Sequence, residues 1–389
     1  MKNHHILYTL GMVLLGSILL SLVACNGNKS KTDNAESNDV FTIQRGVNLS
    51  HWLSQDFGWE PKYTYIDEDD IRFIDSIGYD HVRIPIDEHE LWDEDGKQID
   101  IAFGYLLNCL DWCQKYGLKA IVDLHVIRSH HFNAANEGGS NTLWDDTRAQ
   151  DSFINLWVQL SEKLNKYPTN TVAYELLNEV VAPEHSDWNK LLNRAIATIR
   201  EKEPNRFIVV GPNNWQIIEY LQFLELPAND KKIILSFHTY SPLAFTHYEA
   251  EWTPAGDFTG KVQYPGQVIT DAEYFENVDT TNTALVNAIA DGRQNWNKQR
   301  FVDSFKQGLE YAKSKDLQLY CGEFGCLPTV DRNDRLQYYS DIIAALEENN
   351  IAWCNWEYKG DFGIYFFDRE KQKSLLPDYE FIDILLGGK

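Results

Sequence analysis

Two glutamates, Glu179 and Glu323, each close a short apolar run: Thr171-Val-Ala-Tyr-Glu-Leu-Leu-Asn-Glu179 and Leu317-Gln-Leu-Tyr-Cys-Gly-Glu323. A carboxylate at the end of a buried run is costly unless it is paired or used. Cleavage of a glycosidic bond uses two of them, flanking one bond. The acid must keep its proton near neutral pH, which burial and a negative neighbour favour. Its partner must be ionised, which a nearby cation favours. Carboxyl groups about 5–5.5 Å apart act by double displacement and retain configuration, whereas about 6.5–9.5 Å leaves room for a water and inverts it.

Such a pair needs a scaffold that brings distant strand ends together. Eight apolar, β-branched runs read as strands: Thr42–Leu49, His81–Ile86, Leu118–His125, Thr171–Glu179, Arg206–Gly211, Lys232–His238, Leu317–Glu323 and Ile351–Trp356. They are continuously apolar rather than alternating, as parallel strands covered on both faces are. Helical patterns lie between them at Asp67–Ile77, Ile101–Tyr116, Ala149–Tyr167, Trp188–Lys202, Phe301–Lys315 and Asp334–Asn349. Gly117 supplies a stop signal for the second of these. Eight strand–helix units in one domain predict an α/β fold, a single (β/α)8 TIM barrel over 41–389. An open doubly wound sheet is the alternative. It would show a Gly-rich phosphate loop after its first strand, which Gly46-Val-Asn-Leu-Ser does not supply. The stretches after strands 3 and 6 are long, and in a barrel they would overhang the active face.

Polar residues mark the ends of most of these strands: Arg83, His125, Asn178 with Glu179, His238 with Tyr240, Glu323 and Trp356. Residues at the C-terminal ends of barrel strands converge on one pocket. A lone His in an apolar run is more often a satisfied core residue. Six strands ending this way argue against that for the set. A metal-dependent hydrolase on the same barrel would need paired histidines at the first strand, where Leu49-Ser-His-Trp52 has one. The His130-His131 pair sits in a loop, where it is expected to face solvent or sugar.

These residues resemble glycoside hydrolase family 5, the cellulase-containing family of (β/α)8 glycosidases. The motifs are Arg83 in the second strand, Asp123-Leu-His125, Leu177-Asn-Glu179, His238-Thr-Tyr240, Gly322-Glu-Phe-Gly325 and Trp356. The similarity runs from about Gly46 to Trp356. It implies retention of configuration and neither metal nor other cofactor. By that resemblance Glu179 is the general acid/base and Glu323 the nucleophile. Asn178 binds the sugar 2-hydroxyl, Arg83 and Tyr240 keep Glu323 ionised, His125 and His238 position hydroxyls or polarise the acid, and Trp356 floors the sugar. The expected activity is endo-β-1,4-glucanase on a polysaccharide or oligosaccharide. β-Mannanase, xyloglucanase, β-1,3-glucanase and exo-glucosidase share these residues, and a non-catalytic sugar-binding protein is the alternative of another class. The loops after strands 3 and 6 depart from the shared core. Trp52, Trp144, Tyr248 and Trp252 are candidates for stacking on sugar, each equally well structural.

Composition agrees with a neutral substrate. A formal charge of -23 argues against nucleic-acid binding, which needs a basic patch. Aromatics make up 13% of residues, with 12 Trp, and their rings match the C–H faces of sugars. Residues 1–24 read as an export signal: Lys2 and two histidines precede an apolar run from Ile6 to Leu22, and Ala24 stands before Cys25. This resembles a bacterial lipoprotein signal with Cys25 as the lipidated residue. An ordinary secretory signal or a single anchor helix is the alternative. Residues 25–40, poor in apolar side chains, form an expected flexible tether. The protein is then exported, anchored to the cell envelope only by its lipid, and monomeric. Of the five other cysteines at least one is unpaired within the chain, and most are expected as buried thiols, with no disulfide assigned although export permits one.

Overall fold

The computed structural model describes residues 40–134, 139 and 141–387. The expected signal segment, residues 25–39 of the tether and Cys25 lie outside them.

Eight parallel strands close a barrel: β1 (Arg45–Asn48), β2 (His81–Asp87), β3 (Lys119–Val126), β4 (Val172–Glu175), β5 (Ile208–Val210), β6 (Ile233–His238), β7 (Gln318–Glu323) and β8 (Ala352–Asn355). Each pairs with its sequence neighbours, and β1 closes on β8 through Arg45↔Trp353 and Val47↔Asn355. The expected (β/α)8 architecture is therefore the observed one. Around the barrel run α1 (Glu68–Ile77), α2 (Asp100–Tyr116), α3 (Thr147–Leu164), α4 (His185–Lys202), α5 (Lys298–Lys315), α6 (Arg332–Glu348) and α7 (Tyr379–Leu386). α1 opens with a reciprocal capping box between Asp67 and Asp70, and α2 stops at Gly117 in a left-handed conformation.

Strand periodicity decides what faces inward. Alternate residues Val82, Val122, Tyr174, Ile208 and Leu235 join the main core with helix residues such as Leu110, Trp157 and Ile196. The intervening residues Ile121, Ala173, Val209, Ile234, Tyr320 and Cys354 form a separate apolar plug, with Phe41, Ile43 and Phe207 just ahead of their strands. Two residues further along, the same inward rows turn polar, with Asp123 after Ile121, Glu175 after Ala173 and Ser236 after Ile234. The barrel is thus apolar where its strands begin and charged where they end.

Several expectations change. β1 begins at Arg45 rather than Thr42. β4 ends at Glu175, so Glu179 lies four residues past the ladder and not within it. No α-helix follows β5; a 3-10 turn at Ile218–Phe223 takes its place. The long stretch after β6 is a folded insertion, with short helices at Leu243–Thr246, Asp271–Asn277 and Thr283–Ala288 and an antiparallel pairing of Gly266–Gln267 with Asn295–Trp296. Its Tyr264 packs on Tyr338 and donates to Asp341 Oδ2 at 2.8 Å, which docks it on α6. A hairpin, Tyr365–Asp368 with Lys373–Pro377, follows β8. Cys109, Cys113, Cys321, Cys326 and Cys354 are free and buried. No helix among the described residues is long and apolar enough to cross a membrane.

Candidate active site

Arg83 sits on β2 with its side chain inside the barrel and out of solvent. A buried guanidinium is tolerable only when paired and fully hydrogen-bonded. Nε donates to Glu175 Oε2 at 2.7 Å, Nη1 to Asn48 Oδ1 at 3.0 Å and Glu323 Oε1 at 2.7 Å, and Nη2 to Asn178 Oδ1 at 2.8 Å. Nη2 also lies 2.9 Å from Asp123 Oδ2. One cation therefore serves Asp123, Glu175 and Glu323, with Glu179 close by. Four carboxyl groups cannot all ionise around one guanidinium, so protons must be retained among them. Burial pushes Asp123 up to about 7.

Glu323 ends β7, where Oε1 accepts from Arg83 and Oε2 from the Tyr240 hydroxyl at 2.9 Å. Glu179 reaches the same space from the loop after β4, with Oε1 2.8 Å from His238 Nδ1. That nitrogen is 3.6 Å from Glu323 Oε2. One oxygen from each glutamate and this ring nitrogen all lie within 4.8 Å of one another. The nearest oxygens of the two carboxyl groups therefore approach more closely than the roughly 6.5–9.5 Å that an inverting pair keeps open for water.

The electrostatics separate the two groups. Burial first, then the charge of Glu323, push Glu179 well above the usual carboxylate range. Burial also raises Glu323, but Arg83 opposes it and the Tyr240 hydroxyl stabilises the anion. The shared proton accordingly belongs on Glu179. His238 is held well below its ordinary value by burial and by Arg83, so its ring is neutral beside Glu179. Burial brings His125 down to about 4. Its Nδ1 lies 2.7 Å from Asp123 Oδ2, which turns Nε2 toward Asn178 Nδ2 at 3.5 Å. Trp356 stacks on the His125 ring, centroids 5.6 Å apart at 14°. Arg83, His125, Asn178, Glu179, His238, Tyr240, Glu323 and Trp356 thus form one connected cluster.

The loop aromatics divide. Trp52 is 1% exposed and its Nε1 donates to the Lys62 carbonyl at 2.8 Å, so it is core and has no face to offer a sugar. Half-buried Trp144 donates to the Val181 carbonyl at 2.7 Å and props the loop that carries Glu179. Tyr248 is partly buried, with its carbonyl bonded to Thr329. Trp252 is exposed and edge-on to His247, which in turn contacts Tyr240. His130 does not face solvent as expected: it is buried, and Nε2 accepts the Val181 N–H at 3.0 Å. His131 stacks on Phe132.

The sequence reading passed over several residues. Asn48, Glu175, Gln216 and Ser236 are buried polar partners of the cluster. Glu175 could have been found as a carboxylate two residues past Ala173 on an inward row. Phe57, Trp59 and Phe367 form a ring chain, with Trp59 4.8 Å from His51 and 5.2 Å from Phe367. His51 in turn lies 6.5 Å from Trp356. Across the barrel, Trp215 is 42% exposed and donates to the Phe132 carbonyl at 2.9 Å, and Phe132 lies edge-on to His125.

Comparison with known proteins gives consistent matches. A family model described as Cellulase (glycosyl hydrolase family 5) matches residues 33–361. Endoglucanase C of Acetivibrio thermocellus is 33% identical over 338 residues, 85% of this chain and 96% of that protein. Cellodextrinase A of Ruminococcus flavefaciens is 30% identical over 313 residues, 80% of this chain and 84% of that protein. Among solved structures, Thermotoga maritima Cel5A in complex with cellobiose superposes with a TM-score of 0.68 at 24% identity. That match covers 88% of this chain and 97% of that one.

Proposed function

The chain belongs to glycosyl hydrolase family 5, the cellulase family of retaining glycosidases, and from that premise we propose that it is an endo-β-1,4-glucanase acting through Glu179 and Glu323. The observation that carries the reading is the close approach of the two carboxyl groups, one held by Arg83 and Tyr240 and the other by a neutral His238. Glu323 attacks the anomeric carbon from one face while Glu179 gives its proton to the departing glycosidic oxygen. The C–O bond breaks and a glycosyl ester forms on Glu323. Glu179, now ionised, takes a proton from water; the resulting hydroxide displaces Glu323 and configuration is retained. On this reading Asn178, which accepts from Arg83, bonds the sugar 2-hydroxyl, and Trp356 floors the sugar.

Attack within a chain is supported by the rims. β1 and β5 lie on opposite sides of the closed barrel. Phe57 and Trp59 follow β1 and Trp215 follows β5, so rings extend from the Trp356–His125 floor in both directions. Rings on both sides let a polymer lie across the cleavage point, as attack within a chain requires. The endoglucanase and cellodextrinase relatives agree with a β-glucan. β-Mannan, xyloglucan and β-1,3-glucan remain the competing substrates, because the same cluster serves them all. Product analysis on that panel, with mixed-linkage glucan and viscometry on soluble cellulose, tests the reading. A rapid viscosity drop with short β-1,4-glucan products is expected. Cleavage of mannan alone would keep the mechanism and replace the substrate, and folded protein silent on every polymer would favour a binding role.

The same proposal places the enzyme on the cell envelope through a lipid on Cys25. Labelled fatty acid should enter the protein and be lost in Cys25→Ser; equal labelling of both forms would remove the anchor.

A further inference from the structure

Glu179 stands outside the strand ladder with a φ of 41°, a left-handed conformation that residues with a Cβ seldom adopt. Such backbone persists only where its surroundings over-determine it. Three side chains from two other loops do so here. Gln216 Oε1 accepts the Glu179 N–H at 2.8 Å, and His130 Nε2 accepts the Val181 N–H at 3.0 Å. Asn213 Oδ1 accepts the Ala182 N–H at 2.7 Å while its Nδ2 donates to the Ala182 carbonyl at 3.0 Å.

Gln216 is fully buried and its amide is used at both ends. Nε2 donates to Ser236 Oγ at 3.1 Å and to Glu175 Oε1 at 3.3 Å. Glu175 Oε2 accepts from Arg83, which donates to Glu323. A hydrogen-bonded line therefore runs from the Glu179 backbone through Gln216, Glu175 and Arg83 to Glu323. The Gln216 carbonyl also accepts the N–H of His238, whose ring touches Glu179. The fold makes special room for this side chain. Asn214, Trp215 and Gln216 all have positive φ, and a Cβ on Gly211 would fall 2.1 Å from Gln216 Cγ.

We propose that Gln216 is a positioning residue for the acid step, setting the Glu179 carboxyl against Glu323 through the Glu179 backbone and the Glu175–Arg83 pair, with His130 holding the next turn. The proposal rests on the reading of Glu179 as the acid/base. A sugar leaving group needs the acid's proton, whereas a dinitrophenolate departs without it. Displacing the acid should therefore slow one substrate class and spare the other.

The test measures kcat/KM on cellotetraose and on 2,4-dinitrophenyl β-cellobioside for Gln216→Met, which keeps the length and removes all three side-chain hydrogen bonds. Cellotetraose hydrolysis is expected to fall roughly 10- to 100-fold, and the aryl glycoside by no more than about threefold. Gln216→Glu keeps an acceptor for the Glu179 N–H but sets a carboxyl against Glu175, so its cellotetraose rate should recover in part as pH falls. If Gln216→Met does not fold, His130→Leu reads the same split through Val181. Glu179→Gln in both assays separates the outcomes. A split in Glu179→Gln with equal loss, or no loss, on both substrates in Gln216→Met would overturn the positioning role and leave the acid in place. No split in Glu179→Gln would overturn both.

Discussion

At the scale of single residues, the site crowds four carboxyl groups around one guanidinium, so that some of them keep their protons. Glu323 has two donors, Arg83 and Tyr240, and Glu179 has a neutral imidazole. Removing the donors' target should be absolute: Glu323→Gln is expected to abolish turnover on polymer and aryl glycoside alike, read by initial rates on each. The pH profile follows from the directions of the shifts. Under the proposed mechanism Glu179 acts protonated, and its raised value means activity is lost as pH rises through it; Glu323 acts ionised, so activity is lost as pH falls through its own, lower value. A bell-shaped kcat/KM is expected, and Glu179→Gln should flatten its basic limb on an aryl glycoside. The two glutamates were legible in the sequence because a carboxyl closing an apolar run is anomalous. Gln216 was not, since a glutamine in a polar loop breaks no local rule and only its burial betrays it.

Among the elements, the strands supply rigid positions and the loops supply reach. Six of the expected site residues lie on or within two residues of a barrel strand, whereas Glu179 is carried by a loop that Trp144, His130 and Gln216 brace. The tryptophans show how exposure separates equal-looking residues. Trp52→Ala should cost about 3–5 kcal/mol in chemical denaturation, with KM unchanged in the folded fraction. Trp215→Ala should leave stability nearly unchanged. A ring covering about 50 Å² of sugar at ~25 cal/mol per Å² contributes about 1 kcal/mol, so KM on polymer should rise roughly fivefold. The reverse pattern would exchange their roles. Sequence could not tell them apart because both follow a barrel strand, and the direction of a loop depends on the residues it packs against.

For the whole molecule, barrel closure brings β2, β4, β6 and β7 to one point, and with them a cation that serves three carboxylates. Glu179, His238 and Glu323 have the donor set and spacing to hold a cation, while Arg83 already supplies positive charge against Glu323. Dialysis against a chelator is expected to leave kcat unchanged; loss restored by a divalent ion would reassign those three residues. The sequence alone determined the eight-fold alternation of the barrel strands and marked the two glutamates and the polar strand ends as candidates, because periodic burial and buried charge are local anomalies that any correct fold must satisfy. Tertiary structure alone decided the distance between the carboxyl groups, which of them keeps the proton, that His130 and Trp52 turn inward, and that rings flank the floor on opposite rims. Those properties depend on separations between residues far apart in the chain, and only the closed barrel sets them.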